Sequence, residues 1–411
     1  MISRALVRSA RLDRLSRREG VSDRAVAVSF TARFVDEVLS GAWDVLSPTF
    51  RRVFDLNLVR LGLLFQVVDW VALVVEPIAA SSIDHTSRRR LLVFGGTFVA
   101  LSVALMGVAP SYLVLFIAFA LYGVGSGPLA HTADVVVVES FPGAGERAYS
   151  RATFFDTIGA LLGPAAIAVA GFANVSWRVV LVGLATLAAF HARAAATATF
   201  PDPPQQRNGT SVLRTLATNT RAALREPAIR GALLVLLAFD LFEAAFVLEY
   251  VWLHDEVGLS EPQVALWAAA FQVVDLAALA VLDRWLEDRE PRRILRLAAA
   301  VLVFLPAAWV AAPGVLGRIV VGIPLAFTWT FVWPLAKSRS LTAVPDLAGA
   351  TQAISTMFGV LPLALLETTL ASAVGIGPAM ALTAGVAAAL MVALLSPGEE
   401  SRPDRAGALT E

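Results

Sequence analysis

Runs of about twenty apolar residues, separated by short polar connections, recur along almost the whole 411-residue chain. They fall at 25–46, 58–80, 91–109, 112–136, 150–172, 177–199, 229–253, 262–284, 294–312, 314–336, 347–370 and 374–396. Each is long enough to cross about 30 Å of hydrocarbon as a helix. The pattern predicts an all-α integral membrane protein with twelve transmembrane helices, six on either side of a polar segment at 201–228. That segment carries PDPP, an NGT turn signal and a mixed Arg/Ala/Leu run.

The two sets of six are related. Phe65 to Asp69 reads FQVVD and the same letters return at Phe271 to Asp275, 206 residues later. The same ungapped offset sets Glu37 opposite Glu243. A six-helix repeat predicts two pseudo-symmetric bundles with a binding site near the midplane between them. The units that follow are a cytoplasmic leader at 1–24, an N-terminal bundle at 25–200, a cytoplasmic linker at 201–228, a C-terminal bundle at 229–396 and a cytoplasmic tail at 397–411.

Composition points the same way, with 57% hydrophobic and 16% charged residues against about 45–50% and 25% in soluble domains. A net charge of zero gives no sign of a nucleic-acid partner. The absence of cysteine excludes disulfides, thiolate metal sites and cysteine nucleophiles. Arginine supplies every base except Lys337. The bases gather at the termini and the even-numbered connections, as at Arg88–Arg90, Arg221, Arg225, Arg289, Arg293 and Lys337, whereas the odd-numbered connections hold chiefly Arg51 and Arg52. This bias places both termini in the cytoplasm of a multi-pass protein of the inner (plasma) membrane. Residues 1–24, studded with arginine, lack a cleavable signal pattern and read as an amphipathic leader lying along the anionic inner leaflet.

Some charges fall inside the spans, where each costs at least ~2.5 kcal/mol on insertion scales. Span one holds Arg33, Asp36, Glu37 and Asp44; span two holds Gln66, Asp69 and Glu76 in one stripe; span seven holds Asp240, Glu243 and Glu249; span eight holds Gln272 and Asp275. The candidates for binding protons or substrate are Arg33, Asp36, Glu37, Gln66, Asp69, Asp240, Glu243, Gln272 and Asp275. Such an excess of acid suits protons or cations and does not suit an anionic solute. Asp44, Glu249 and Glu367 read first as structural pairs or side chains snorkelling near span ends. His131 and Asp134 share a face of span four, and the histidine reads as a satisfied interfacial group. No His/Asp/Glu set has metal-ligand spacing, so neither a metal nor another cofactor is expected. Trp43 and Trp252 are expected in the interface belt, while Trp70, Trp329 and Trp333 divide between belt and cavity wall.

At Ala80 to Arg90 the chain reads ASSIDHTSRRR, which resembles the loop signature G-x-x-x-D-R-x-G-R-R of the major facilitator superfamily. Asp84, Arg88 and Arg89 match, whereas Ala80, His85 and Ser87 depart from it. A weaker echo, LDRWLEDREPRR, spans Leu282 to Arg293. The resemblance implies the major facilitator fold and a cytoplasmic gate of Asp84, Arg88, Arg89, Asp283 and Arg284, an ion-pair latch between the halves. In span five, Asp156 followed by Gly159-Ala-Leu-Leu-Gly163-Pro164 resembles the first part of the family's antiporter motif, with Ile167 and Ala168 where its closing glycines belong. Small residues four apart serve close helix packing equally well. Span four carries Gly123-Val-Gly125-Ser-Gly127-Pro128, similar in style, but Phe119 stands where drug antiporters of the family carry a relay arginine. Arg33 is the candidate to replace it.

The expectation is a secondary active transporter working by alternating access as a monomer in the lipid bilayer. It would couple protons to efflux of a small cationic or neutral amphipathic solute. A proton-coupled importer of a polar nutrient is the nearest alternative. A lipid-acting enzyme would need a nucleophile or metal constellation that the chain does not display. A sensor or scaffold would carry a large soluble appendage.

Overall fold

A computed structural model describes residues 21–83, 87–141, 145–200, 212–342, 351, 354–355, 357 and 361–396. Span one is α1 (Asp23–Asp44) continued by the short α2 (Ser47–Val53). Spans two to six are α3 (Leu58–Ile83), α4 (Arg88–Val108), α5 (Tyr112–Ser140), α6 (Gly145–Phe172) and α7 (Trp177–Ala196). An amphipathic helix α8 (Val212–Arg225) lies in the linker and leads into span seven, made of α9 (Pro227–Ala245) and the short α10 (Glu249–Asp255). Span eight is α11 (Glu261–Asp288), span nine is α12 (Pro291–Leu302) with α13 (Leu305–Ala311), and span ten is α14 (Gly314–Trp329) with α15 (Val332–Thr342). The described helix of span eleven is α16 (Leu363–Val374), and span twelve is α17 (Ile376–Leu395).

Ten of these spans are long and apolar enough to cross a membrane. Span one falls outside the ten because its charges interrupt the apolar run, and span eleven because α16 is short. The helix count is consistent with the twelve expected. Starts are set by local chemistry. Ser22 accepts from the Ala25 amide, Asn57 Oδ1 accepts from the Arg60 amide at 2.8 Å, and Ser260 forms a capping box with Gln263. Pro48, Pro227, Pro262 and Pro291 sit in the first turns of α2, α9, α11 and α12, where their missing amide costs nothing. Pro48 also explains why span one restarts as a new helix at Ser47.

Within the first half α1 packs on α6, α4 on α5 and α7, and α3 on α5. In the second, α9 and α12 both pack on α17. The halves meet along two crossings, α6 with α11 and α3 with α16, and at the short helices α2 and α10. Exchanging the halves maps one long crossing onto the other, as two parallel repeats require. Small residues let these helices approach. A Cβ on Gly62 would lie 2.5 Å from Thr368 Oγ1, and one on Gly171 would lie 2.6 Å from Pro262 Cγ.

The repeat is real but its register differs from the 206-residue offset of the shared pentapeptide. Measured between the cap residues Asn57 and Ser260 the offset is 203, and between the helix ends Ile83 and Asp288 it is 205. Between the caps Ser22 and Glu226 it is 204, which sets Asp36 opposite Asp240 and leaves Glu37 opposite Leu241.

Gly159 and Gly163 of α6 lie against the backbone of α1. A Cβ on Gly159 would sit 2.6 Å from the Phe34 carbonyl oxygen, whereas one on Gly183 of α7 meets nothing within 4 Å. Gly159→Leu is therefore expected to lower thermal stability in detergent by roughly 1–3 kcal/mol, the range for overpacking, while Gly183→Leu leaves the melting temperature unchanged or slightly raised. Equal effects at the two positions would contradict this packing.

Candidate functional site: charged side chains between the two halves

The first half pairs its base. Arg33 of α1 reaches Asp156 of α6 at 2.8 Å and Asp134 of α5 at 3.3 Å. One turn on, Asp36 accepts from Tyr122 Oη at 2.8 Å and from Ser126 Oγ at 2.9 Å, both on α5. Both of its carboxylate oxygens are thus engaged inside the half. Glu37 lies beside Gly159, and its charge is felt with those of Asp36, Arg33 and Asp156. His131 of α5 meets Glu76 of α3 at 3.3 Å, so this histidine has a carboxylate partner, and Glu76 is a member of the set. His191 and His254 instead contact the backbone carbonyls of Val28 and Leu259.

Asp69 and Glu76 are seven apart on α3 and share one face, within about 20°. Val74 and Ile78, both more than 60% exposed, occupy the opposite face, where acyl chains would lie. Asp69 is exposed yet within electrostatic reach of Asp240 across the gap, so its solvent lies between the halves. It sits about 16 Å along the helix from Leu58, near the middle of a ~30 Å core. Glu243 on α9 is likewise exposed and lies three residues from Asp240 on the same stripe. Aromatic rings back this surface: Phe239 with Trp333 at 5.9 Å and Phe242 with Trp329 at 5.3 Å between centroids. Lys337 faces inward too, over the Trp333 ring at 5.2 Å and in electrostatic contact with Asp240 and Glu76. The charge pattern alone assigned Lys337 to the anchoring bases; its being the lone lysine in an arginine-rich chain was the available signal. Gln66, by contrast, is buried inside the first half, and Gln272 is half-buried.

A second acidic group spans the halves. Glu249 of α10 lies within electrostatic reach of Asp44 and of Asp275, whose Oδ1 accepts from Thr330 Oγ1 at 2.6 Å. Asp69 and Asp275 thus occupy different surroundings. Glu367, at 1% exposure, is buried on α16 away from these groups. Among the described residues no His/Asp/Glu group is arranged to hold a metal ion.

Two expectations fail on packing grounds. Trp43 is buried against Phe65, Phe119 and Tyr122, and Trp252 against Trp309, so both belong to the cores of their halves and not to an interface belt. Of the gate residues, Asp84 lies outside the described residues and the side chain of Asp283 is likewise not described. Arg88 is fully buried and pairs with Glu139 at the end of α5, within its own half; Arg89 and Arg284 are exposed. Among the described residues, the ion pairs that join the halves are Arg51 with Asp255 and Arg52 with Glu261 (2.7 Å), all on the side of the odd-numbered connections. In the antiporter-like motif, Asp156 is the partner of Arg33, and Gly159, Gly163 and Pro164 form the α6 surface that receives α1.

The family model described as Major Facilitator Superfamily matches residues 26–365. Among solved structures, a variant of the nucleoside transporter NupG superposes with a TM-score of 0.76 at 13% identity, covering 90% of this chain and 99% of that one. An inward-facing, unoccupied bacterial homolog of the human lysosomal transporter Spinster gives 0.65 at 15% identity, covering 90% and 92%. A POT family transporter in complex with a thioalcohol-conjugated peptide gives 0.69 at 12% identity, covering 90% and 95%. At these identities the likeness is one of fold. No curated protein matches the sequence.

Removing Arg33 would leave Asp134 and Asp156 facing each other without the guanidinium that pairs with both. Arg33→Gln is expected to destabilise the protein by about 2 kcal/mol, less than the 3–5 of a fully buried pair because the guanidinium is partly hydrated. Adding Asp156→Asn should recover part of that loss in thermal unfolding. An undiminished loss in the double variant would contradict the pairing.

Proposed function

We propose that this protein, which belongs to the Major Facilitator Superfamily, is a proton-coupled secondary transporter that exports a small cationic or neutral amphipathic solute by alternating access. The observation that carries this reading is the placement of Asp69, exposed at mid-span and within electrostatic reach of Asp240 of the other half, with Glu243 exposed on the stripe of Asp240, in two halves that ion pairs tie together on one side. A carboxylate so placed takes up or releases a proton as access changes sides, and it attracts cations when ionised. The rings of Trp329 and Trp333, backed by the buried Phe239 and Phe242, offer apolar and π surface for an amphipathic solute.

The arginine bias sets the even-numbered connections and both termini in the cytoplasm of the plasma membrane. On that orientation Arg51–Asp255 and Arg52–Glu261 close the outer side, and the form described faces inward. Residues 25–200 and 229–396 rock as two bodies about Asp69, Asp240 and Glu243, joined by the linker at 201–228, in a protein that works as a monomer. Arg33, Asp36 and Glu37 with Asp134 and Asp156 hold span one to spans four and five, a network through which protonation would reach the inner side. Asp275, at mid-depth, joins the path with Glu249, which lies nearer the outer side.

Proteoliposomes with an imposed pH gradient test the reading, with tetraphenylphosphonium as the added cation and an internal pH dye as the readout. Solute-dependent proton flux is expected from the native chain, with at least a roughly tenfold loss in Asp69→Asn. Undiminished coupling in Asp69→Asn, Asp275→Asn, Asp36→Asn and Glu37→Gln alike would reject the carboxylates as proton carriers.

A further inference from the structure

Lys337 has no task in the cycle just described, yet the structure places it with care. It is half-buried on α15, and its Nζ donates to Ser355 Oγ at 2.9 Å and lies 5.2 Å from the Trp333 ring centroid. Its charge acts on Asp240 of its own half and on Glu76 of the other, although neither is within ion-pair distance. Those carboxylates also act on Asp69, so one ammonium serves an acidic surface contributed by both halves. Arginine would grip such carboxylates with a planar, bidentate fork, whereas lysine is a compact point charge on a flexible stem that releases its partners more readily. The chain uses arginine for every other base and lysine here alone.

We propose that Lys337 is a specificity-determining residue of the cavity: its ammonium, seated over the Trp333 ring, is the resident cation for Asp240 and shares Glu76 with His131, and a cationic solute binds by taking its place. The inference rests on the cation reading above and narrows it. The favoured solute is an organic cation able to stack on an aromatic face, because the site it enters offers carboxylates and the Trp333 π surface together. Since Glu76 and Asp240 belong to different halves, the same exchange loosens the attraction between Lys337 and the opposite half.

The test is calorimetric binding of tetraphenylphosphonium to the full chain in nanodiscs at fixed pH and moderate salt. Lys337→Gln is expected to bind the probe roughly three- to tenfold more tightly than the native protein, the scale of one charge felt through a partly hydrated gap. Lys337→Met, which keeps a chain of similar length against Trp333, should behave the same way and guards against a folding defect peculiar to the first variant. Lys337→Arg should bind no more tightly than the native chain. In a Glu76→Gln background the gain from Lys337→Gln should shrink, because one of the two carboxylates being freed is gone; a merely structural lysine would not give this coupling. Asp69→Asn and Glu243→Gln test the cation reading separately and should each weaken binding. If they do and Lys337→Gln and Lys337→Met bind no more tightly than the native chain, the role of Lys337 is overturned while the cation reading stands. If neither acid variant weakens binding, or if the probe binds to neither the native chain nor Lys337→Gln, the cation reading falls and this inference with it.

Discussion

An ionised carboxylate in hydrocarbon must be paired, hydrated or neutralised, and the arrangement of this protein follows from that constraint. Six acids stand at mid-depth in the spans: Asp36, Glu37, Asp69, Asp240, Glu243 and Asp275. Turned toward lipid they would together cost at least roughly 15 kcal/mol, as much as the whole stability of a typical domain. The two halves meet the requirement differently. The first pairs internally, with Arg33 between Asp134 and Asp156 and with hydroxyl donors on both oxygens of Asp36. At Asp69 and Glu243 the solution is exposure to solvent, and at Asp240 it is the nearby charge of Lys337. The fold is close to symmetric and its chemistry is not.

Closure on one side has an equally local origin. Spans one and seven each end in a short separate helix, and those helices, α2 and α10, bring Arg51 and Asp255 together. Arg52 and Glu261 add a second pair, and Gly171 lets α6 close on Pro262 beside it. Exposed ion pairs contribute little stability each. A tie of that strength suits contacts that must break in every cycle, whereas the tightly packed glycine crossings within the first half suit a body that moves as a unit.

The spans were legible from the chain because bilayer thickness fixes the length of an apolar run, and even the charged first span was placed to within a few residues at either end. The breaks within spans one, seven, nine and ten were not, since an apolar run reads alike whether its helix is continuous or restarts at a proline such as Pro48. The repeat was legible, and the helix starts at the caps Asn57 and Ser260 set the two halves at an offset close to, but not equal to, that of FQVVD. Of the candidate site, the stripes on α3 and α9 could be read from spacing, whereas the pairing of Arg33 with Asp134 and Asp156 could not, because those partners lie on other helices. Which stripes face each other could not, because that depends on helix rotation in the bundle. For the same reason Trp43 and Trp252 passed for belt residues and Lys337 for an anchor.

The central claim is that Asp69 and Glu243 line a water-filled space reached from the cytoplasm. The chain has no cysteine, so Asp69→Cys and Glu243→Cys each introduce one unique thiol without further engineering. Labelling each with a membrane-impermeant maleimide, in inside-out and in right-side-out vesicles, measures that access directly. The account predicts fast labelling of both positions from the cytoplasmic side and slow labelling from the outside. Failure of both positions to react from either side would mean that these side chains face lipid or sealed protein, and would contradict it.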